Sequence, residues 1–473
     1  MAQSSGPVGA SSLPLQVDRG AEAPLHEQIE RAIRDAVRQG RLTVGSALPS
    51  SRALATELGV SRGVVSEAYG QLAAEGYLQT RQGAPVRVAR AMRPSRPQRQ
   101  TASLLPSFRH DFNPCLPDLA GFPRTSWLRS LRAALRQAPI AAIGYPDPRG
   151  VPELRETLAE HLGRVRGVAA DPEQLLVCAG FSQAFSLLCR WLAERGTERI
   201  ALEDPGWHRH RLIVEQAGLE VVPIGVDTAG LRVEELEASG AEVVLVTPGH
   251  QFPTGCVLSS ERRAALVEWA EQGERLVVED DYDSEYRYDR AGVGALQGLA
   301  PERVVYIGSA SKVLAPGLRL GWMQLPSWAA WPLIQVKAIE DGGGEAIGQL
   351  ALADFIARGE LDRHVRRSRL LYARRREALA HAVDRWLPEA TLGEGRAGLF
   401  ETLRLPTGVE EAAAVAAAAE RGLGVEGLAL HSFSIESPPA LVLGFASLPD
   451  AAIARGIRGL GEAIEARRPR RGA

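Results

Sequence analysis

Five short apolar runs, each ending in glycine or polar residues, constrain the fold of this 473-residue chain more than any other feature. Segments with a helical pattern separate the runs. Strands that alternate with helices build a mostly parallel sheet with helices on both faces. Ligands of such sheets bind beyond the carboxyl ends of the strands, so the polar residues there are the first candidates for a site. The runs read QLLVCAG, RIALED, EVVLVTP, RLVVEDD and RVVYIGSASK.

Lysine is almost absent from the chain. Of 55 basic side chains only Lys312 and Lys337 are lysines. Arginine stays protonated, whereas a desolvated lysine can act as an amine nucleophile and form a Schiff base. Lys312 follows the last apolar run and has Ser309, Ser311 and Arg319 close by in sequence, a set that suits a phosphate and an aldehyde. Lys337 has no such context and is expected at the surface; survival by chance is the alternative for both.

The first ninety residues predict three helices and a short hairpin. Apolar residues recur every fourth position over 25–37, between a proline and a glycine. A second helix is predicted from Ser50 or Ser51 to Gly59, and a third from the N-cap Ser61 to about Glu75. Two short strands around a Gln-Gly-Ala-Pro turn would form a wing. Two short helices joined by a glycine-containing turn are typical of a helix-turn-helix.

Charge is distributed unevenly along the chain. Residues 1–100 carry 13 Arg against 8 Asp and Glu, a net +5, within a chain of net charge −2. A basic module before an acidic body is a weak indication of nucleic-acid binding. Residues 91–107 are rich in Arg and Pro and contain no acid, which predicts a flexible linker that could also contact the DNA backbone.

The sequence argues against export and against a membrane. No apolar stretch is long enough to span a bilayer, and the N-terminus lacks the basic and apolar regions of a signal peptide. The four cysteines are scattered without a C-x-x-C pair, which favours buried thiols in a reducing compartment over a metal site or disulfides. We therefore expect a cytoplasmic protein without a metal.

Residues 40–78 resemble the winged helix-turn-helix of the GntR superfamily along their whole length. The resemblance implies that the third helix enters the major groove of double-stranded DNA. Polar residues at matching positions would contact the DNA, and an ordinary solvated surface is the alternative for each. These residues are Arg52, Ser61 and Arg62 on the helices and Arg81 and Gln82 on the wing.

The segment GSASKVLAPGLRLGW, residues 308–322, resembles the lysine motif of fold-type I proteins that bind pyridoxal 5'-phosphate (PLP). By this resemblance Lys312 forms the Schiff base with the cofactor, while Ser309, Ser311 and Arg319 hold its phosphate. A small-residue turn before an apolar helix would add the backbone amides of Phe181 and Ser182 to the phosphate site.

Two further segments match positions around the cofactor ring. In VVEDDYDSEYRY, Asp280 would keep the pyridine nitrogen protonated, with Asp281 as the rival choice, and Tyr282 would bond the ring hydroxyl. In EDPGWHRHR, Trp207 would lie near the cofactor or simply pack in the core. Arg209 is a candidate anchor for an anionic ligand.

Residues 24–470 together resemble the MocR subfamily, which joins a GntR-type module to an aminotransferase-like body. The implied fold is a mostly helical winged helix-turn-helix followed by an α/β fold-type I domain and a smaller α+β domain. The implied boundaries are 18–90 for DNA binding, 91–107 for the linker, 108–345 for PLP binding and 346–470 for the small domain. The family also implies a head-to-tail homodimer in which Tyr145 reaches the partner's cofactor phosphate.

Two positions depart from the pattern of catalytic aminotransferases. Phe252 occupies the place of the Asn in N-P-T-G, where His250 or Gln251 could substitute. Val442 occupies the place of the C-terminal Arg that clamps a substrate carboxylate, and Arg209 is the one candidate replacement. We therefore expect a transcription regulator that uses the body as a sensor, with no catalytic residue assigned. A working aminotransferase with secondary DNA binding is the alternative.

The effector is open between two kinds of molecule. PLP itself, as a signal of vitamin B6 supply, is the one we favour from the sequence. An amine or amino acid that displaces Lys312 is the other, and a purely structural cofactor is the third possibility.

Overall fold

The computed structural model describes residues 15–81, 84–89, 108–288, 293–393, 395, 397–434 and 437–467. The chain divides into two compact units, Met1–Leu105 and Pro106–Ala473. The predicted linker 91–107 lies outside the described residues. The finer domain boundaries drawn from the sequence stay predictions.

The N-terminal unit contains the three helices and the hairpin that its sequence predicts. Ser50 accepts a hydrogen bond from the Ala53 amide at the start of the second helix, and Ser61 accepts one from Val64 at the start of the third. Gly59 ends the second helix in the left-handed conformation, with φ of 64°. The elements are α1 (Leu25–Arg38), α2 (Ser51–Leu58), α3 (Arg62–Ala74), β1 (Leu78–Gln79) and β2 (Arg87–Val88), the last two antiparallel.

The C-terminal unit begins with β3 (His110–Asp111) and is built around one large sheet. Its strands are β4 (Leu175–Cys178), β5 (Arg199–Asp204), β6 (Glu220–Asp227), β7 (Gly230–Leu231), β8 (Val243–Val246), β9 (Leu276–Asp281), β10 (Val304–Ser309) and β11 (Gly321–Gln324). The strand order is β4-β11-β10-β9-β8-β5-β6-β7. The pairs from β10 through β6 are parallel, while β11 runs antiparallel to both neighbours. All five apolar runs are strands of this sheet.

Helices cover both faces of the large sheet because alternate strand residues face opposite sides. On β8, Val243 and Leu245 pack in one apolar cluster, while Val244 and Val246 pack in another. Some of the helices between residues 124 and 386 form these layers, and others pack on further helices; in chain order they are α4 (Arg124–Gln137), α5 (Ile140–Ile143), α6 (Pro152–Arg166), α7 (Phe181–Glu194), α8 (His208–Gln216), α9 (Glu234–Ser239), α10 (Ser260–Gln272), α11 (Ala310–Val313), α12 (Ser327–Asp341), α13 (Ala346–Ala357) and α14 (Glu360–Trp386).

A smaller α+β region completes the C-terminal unit, as expected. Its elements are β12 (Thr391–Leu392), β13 (Phe400–Arg404), α15 (Glu411–Glu420), β14 (Leu423–Gly424), β15 (Glu426–Gly427), β16 (Ala440–Gly444) and α16 (Asp450–Arg467). Strands β12-β13-β16-β15 form an antiparallel sheet, and β14 pairs with β3. The fold class predicted from the sequence is confirmed.

Candidate cofactor site

A cavity of about 340 Å³ lies at the carboxyl ends of the parallel strands. It brings together residues that are up to 313 positions apart in the sequence, from Asn113 to Glu426, because the ends of several strands and the starts of helices meet there. Ten of the predicted cofactor and ligand residues line it: Phe181, Ser182, Trp207, Arg209, Asp280, Tyr282, Ser309, Ser311, Lys312 and Arg319. Tyr145 does not line it and is 98% exposed.

One end of the cavity has the geometry of a phosphate cradle. Phe181 and Ser182 begin α7, where unpaired backbone N–H groups favour an anion. Gly180 precedes them with φ of 89°, and a Cβ at this position would lie 3.2 Å from Nη2 of Arg319. Arg319 donates a hydrogen bond to the Ala179 carbonyl, so its guanidinium is fixed beside the turn. Ser309 accepts a bond from the Ser311 amide at 3.3 Å, which holds both serines at the start of α11.

The two candidate carboxylates of β9 have different surroundings. Asp280 lines the cavity, and its Oδ2 lies 3.3 Å from Nε2 of His210. Burial raises the pKa of Asp280, whereas the neighbouring His210 and Lys312 act to lower it. Asp281 accepts a hydrogen bond from Arg166 at 2.7 Å and does not line the cavity. Of the two, Asp280 is placed to face a ligand in the cavity.

His210 supports Asp280 from α8, a role that the sequence did not predict. Its ring is buried, with centroids 5.1 Å from Phe181 and 5.1 Å from Trp207. The segment EDPGWHRHR could have indicated this role, because position 210 lies one helical turn after Trp207 and therefore on the same side of the helix. The pairing with a carboxylate 70 residues away could not be derived from that spacing.

Lys312 projects into the cavity from α11. Its Nζ donates a hydrogen bond of 2.7 Å to the Cys115 carbonyl. Burial raises the pKa of the Cys115 thiol, with the charge of Lys312 acting in the opposite direction. The amine therefore contacts the segment 113–116, which lines the same cavity as the strand-end carboxylate Asp280.

Tyr282 and Trp207 each line the cavity and pack at its base. The Tyr282 hydroxyl donates a 2.7 Å hydrogen bond to the His250 carbonyl, and burial raises the pKa of this phenol. Trp207 packs edge-on against Phe181, with centroids 6.2 Å apart. The Arg209 guanidinium lies 5.9 Å from the centre of the Trp207 ring. Trp207 lines the cavity and also packs on an apolar cluster, so its position is compatible with both alternatives that the sequence left open.

His250 and Gln251, the two candidates to replace the asparagine of the N-P-T-G motif, both point to partners outside the cavity. Neither His250 nor Gln251 lines the cavity. His250 Nδ1 lies 2.9 Å from Asp283, and Gln251 donates a 2.8 Å hydrogen bond to the Pro205 carbonyl. Thr247, which sequence reasoning missed, lines the cavity instead.

The place of the carboxylate-binding arginine is apolar. Val442 is fully buried in a cluster with Phe252, Phe400, Leu428 and Ala440. Its cross-strand partner is Glu426 on β15, and this carboxylate lines the cavity. The sequence analysis did not single out Glu426, because only the sheet register places it beside the cavity.

The surface position expected for Lys337 is wrong. Its side chain is 1% exposed and its Nζ lies 2.9 Å from Asp341, one turn further along α12. The ion pair satisfies the amine as the apolar face of α12 packs inward. Lys337 is also absent from the residues that line the cavity.

The predicted DNA-contacting residues of the N-terminal unit are exposed where the structure describes them. Arg52 lies on α2, Arg62 begins α3, and Arg81 follows β1. Nε of Arg62 lies 3.4 Å from the Ser51 hydroxyl, which links the two helices of the motif. Ser61 is exposed while it caps α3. Gln82 lies outside the described residues.

Comparison with known proteins separates the two units in the same way. Residues 25–88 match the model for bacterial regulatory proteins of the gntR family, and residues 120–458 match that for aminotransferase class I and II. The HTH-type pyridoxine biosynthesis transcriptional regulator PdxR of Corynebacterium glutamicum is 34% identical over 92% of this chain and 95% of its own length. The probable rhizopine catabolism regulatory protein MocR of Rhizobium meliloti is 33% identical over 95% and 96%. The chain belongs to the MocR-type transcription regulators.

Solved structures resemble the C-terminal unit of this MocR-type regulator. An archaeal alanine:glyoxylate aminotransferase aligns with a TM-score of 0.70 and 26% identity, covering 77% of this chain and 92% of its own. The α-aminoadipate aminotransferase LysN of Thermus thermophilus, complexed with N-(5'-phosphopyridoxyl)-L-leucine, aligns with a TM-score of 0.68 and 25% identity, covering 75% and 92%. The protein is therefore a DNA-binding regulator with an aminotransferase-like domain, and its cofactor is PLP.

The cavity of this MocR-type regulator fits that cofactor on its own geometry. A helix N-terminus, two serines and a fixed arginine suit the phosphate, Asp280 suits a protonated ring nitrogen, and Lys312 supplies the amine. No helix of the described residues combines the length and apolar character that crossing a bilayer requires.

Replacing Gly180 by alanine tests the cradle. Its positive φ makes any side chain strained by about 1–3 kcal/mol, and the added Cβ would also displace Arg319. We expect the affinity for PLP to fall at least about tenfold, measured by equilibrium dialysis against the apoprotein.

Gly196→Ala is the matched control. Gly196 has φ of 91°, but a Cβ there would meet nothing within 4 Å. Both variants should lose thermal stability, and only Gly180→Ala should lose PLP affinity. Equal PLP affinities for the two variants would contradict the assignment of the cradle.

Proposed function

We propose that the aminotransferase-like unit works as a ligand sensor for the DNA-binding unit, rather than as an enzyme. The observation that carries this proposal is the apolar cluster around Val442, where catalytic relatives place a carboxylate-binding arginine. A planar guanidinium that bonds a carboxylate through two N–H groups gives strong and oriented binding, which a valine cannot supply. Without that orientation, the positioning on which transamination depends is weakened.

The roles of the cofactor residues follow from their places in the cavity. Lys312 would hold the cofactor through its amine, with the phosphate at Ser309, Ser311, Arg319 and the α7 amides. Asp280, held by His210, would keep the ring nitrogen protonated, and Tyr282 and Trp207 would pack beside the ring. When bound, PLP supplies an electrophilic carbon that exchanges one amine partner for another.

The C-terminal unit also presents an apolar surface suited to a second copy of the chain. Ile140 and Ile143 on α5 are 91% and 70% exposed, and Tyr145 follows directly. Leu135 on α4 is also exposed. Several large exposed apolar side chains within eleven residues of sequence favour a subunit interface. They support a homodimer, head-to-tail as in the family, in which Tyr145 approaches the partner's cofactor.

For the effector, the cavity favours an amine or amino acid over PLP alone. Cys115, His208, Arg209 and Glu426 line it without a role in holding the cofactor. We call these four residues the ligand group. A site that only measured PLP would not need opposite charges there. Binding at the ligand group would change the populations of the conformations that the DNA-bound protein adopts.

The first experiment compares DNA affinities at one fixed salt concentration, because phosphate contacts make affinity strongly salt-dependent. Apoprotein, PLP-loaded protein and PLP-loaded protein with amines would be titrated with DNA from upstream of its own gene. We expect specific binding whose affinity or footprint changes with an amine. A change with PLP alone would make PLP the effector.

A contrary outcome would favour the alternative function. Lys312, Asp280 and Arg319 share one cavity, which is the set that a half-reaction of transamination uses. Turnover of an amino acid and a keto acid, combined with no specific DNA binding, would establish an aminotransferase instead of a sensor.

A further inference from the structure

The ligand group contains two opposite charges that face the same cavity. Arg209 follows the Pro-Gly turn before α8, and Glu426 lies on β15. Among the described residues no ion pair joins these two side chains. Both lie near the Cys115 thiol, whose pKa burial raises, with Arg209 and Lys312 acting to lower it and Glu426 to raise it further. The two charges and the Lys312 amine therefore line one cavity together with the Cys115 thiol.

The Glu426 side chain lines the cavity next to a buried histidine. Its Oε2 lies 3.3 Å from Nε2 of His431, which is fully buried, and its side chain remains 32% exposed. Sheet register places it directly opposite Val442. The position where a catalytic relative carries a cation thus has an uncharged side chain, and the neighbouring strand adds an anion. This end of the cavity would repel a second ligand carboxylate and attract a second ammonium group.

We propose that the ligand is an amino acid with a second amino group, a diamino acid. Its carboxylate would bind Arg209, its second ammonium would bind Glu426, and its remaining amine would face the cofactor. This inference rests on the proposed sensor function and names the class of ligand. A monoamine of equal length would bring no cation to the Glu426 carboxylate as water leaves the cavity, which costs affinity.

The test uses pairs of ligands that differ only in the second amino group. Full-length PLP-loaded protein would be titrated by calorimetry with 2,3-diaminopropionate, 2,4-diaminobutyrate, ornithine and lysine. Each is compared with its monoamine partner, namely alanine, 2-aminobutyrate, norvaline and norleucine. We expect at least one diamino acid to bind about tenfold or more tightly than its partner.

Glu426→Gln removes the charge and keeps the shape of the side chain. In this variant we expect the preference to shrink to about threefold or less, since a neutral amide does not balance an ammonium. Glu410→Gln, an exposed glutamate before α15 in the same region, is the matched control and should keep the preference. PLP loading, measured by dialysis, verifies that each variant is folded.

Two results would overturn the inference. One is equal affinity for every diamino acid and its partner, including the case in which none binds. The other is a preference that survives in Glu426→Gln. Failure of the sensor proposal would be seen separately, as absence of specific DNA binding, which the calorimetric comparison does not measure.

Discussion

Lys312→Ala should abolish covalent retention of the cofactor. Alanine has no amine, so PLP would be held only by the phosphate cradle and the contacts to its ring. Treatment of the holoprotein with borohydride fixes PLP to the lysine with which it has condensed. We expect mass spectrometry to find the added cofactor on the Lys312 peptide of the natural sequence, and no addition in the variant.

The scarcity of lysine makes this result unusually clear. Lys337 is the other lysine, and its amine is buried against Asp341 away from the cavity. A modified Lys337 peptide in the natural protein, or a labelled Lys312→Ala variant, would contradict the assignment. The same variant should also bind DNA with an affinity that no longer responds to amines.

Arg62→Ala should weaken specific DNA binding by about 5- to 150-fold, equivalent to roughly 1–3 kcal/mol. Arg62 is exposed at the first position of α3, where a recognition helix meets base edges and phosphates. The measurement is a titration of operator DNA at fixed salt, repeated with a scrambled sequence. A larger loss on the operator than on the scrambled DNA would indicate a base contact, and equal losses a phosphate contact.

Arg31→Ala provides the control for charge. Arg31 is an exposed arginine on α1, so its replacement removes the same charge from the same unit. It should leave the operator affinity within about threefold, which is under 0.7 kcal/mol. If Arg31→Ala weakened binding as much as Arg62→Ala, the result would indicate only general electrostatic attraction.

Local patterns in the sequence were sufficient to predict the three helices and the hairpin of the N-terminal unit and five strands of the large sheet. Ser50, Gly59 and Ser61 mark helix ends through their own side-chain or backbone chemistry, so no tertiary information is needed to place them. The apolar runs identify the strands for the same reason. Strand order in the large sheet depends on long-range pairing, which no local pattern in the sequence specifies.

Local sequence patterns could not place several residues of the cofactor site. Asp280 and Asp281 are adjacent on one strand and face opposite sides of the sheet, so sequence alone left them as rivals. Lys337 was misplaced because its partner Asp341 was not weighed as a reason for burial. His210 and Glu426 were missed because their neighbours, Asp280 and Val442, lie on other elements of the fold.

Hydrogen bonds join the chain segment before Arg209 to the segment after Glu426, and they have a consequence for the length of ligand that the cavity accepts. The Gly206 amide donates to the His431 carbonyl at 2.9 Å, and the Asp204 carboxylate accepts from the Phe433 and Ser434 amides at 3.1 and 3.0 Å. Arg209 and Glu426 therefore lie near two chain segments that hydrogen bonds join, which limits how far their backbones can separate when a ligand binds. We therefore expect the cavity to bind most tightly the member of a homologous series whose carboxylate and ammonium have the matching separation.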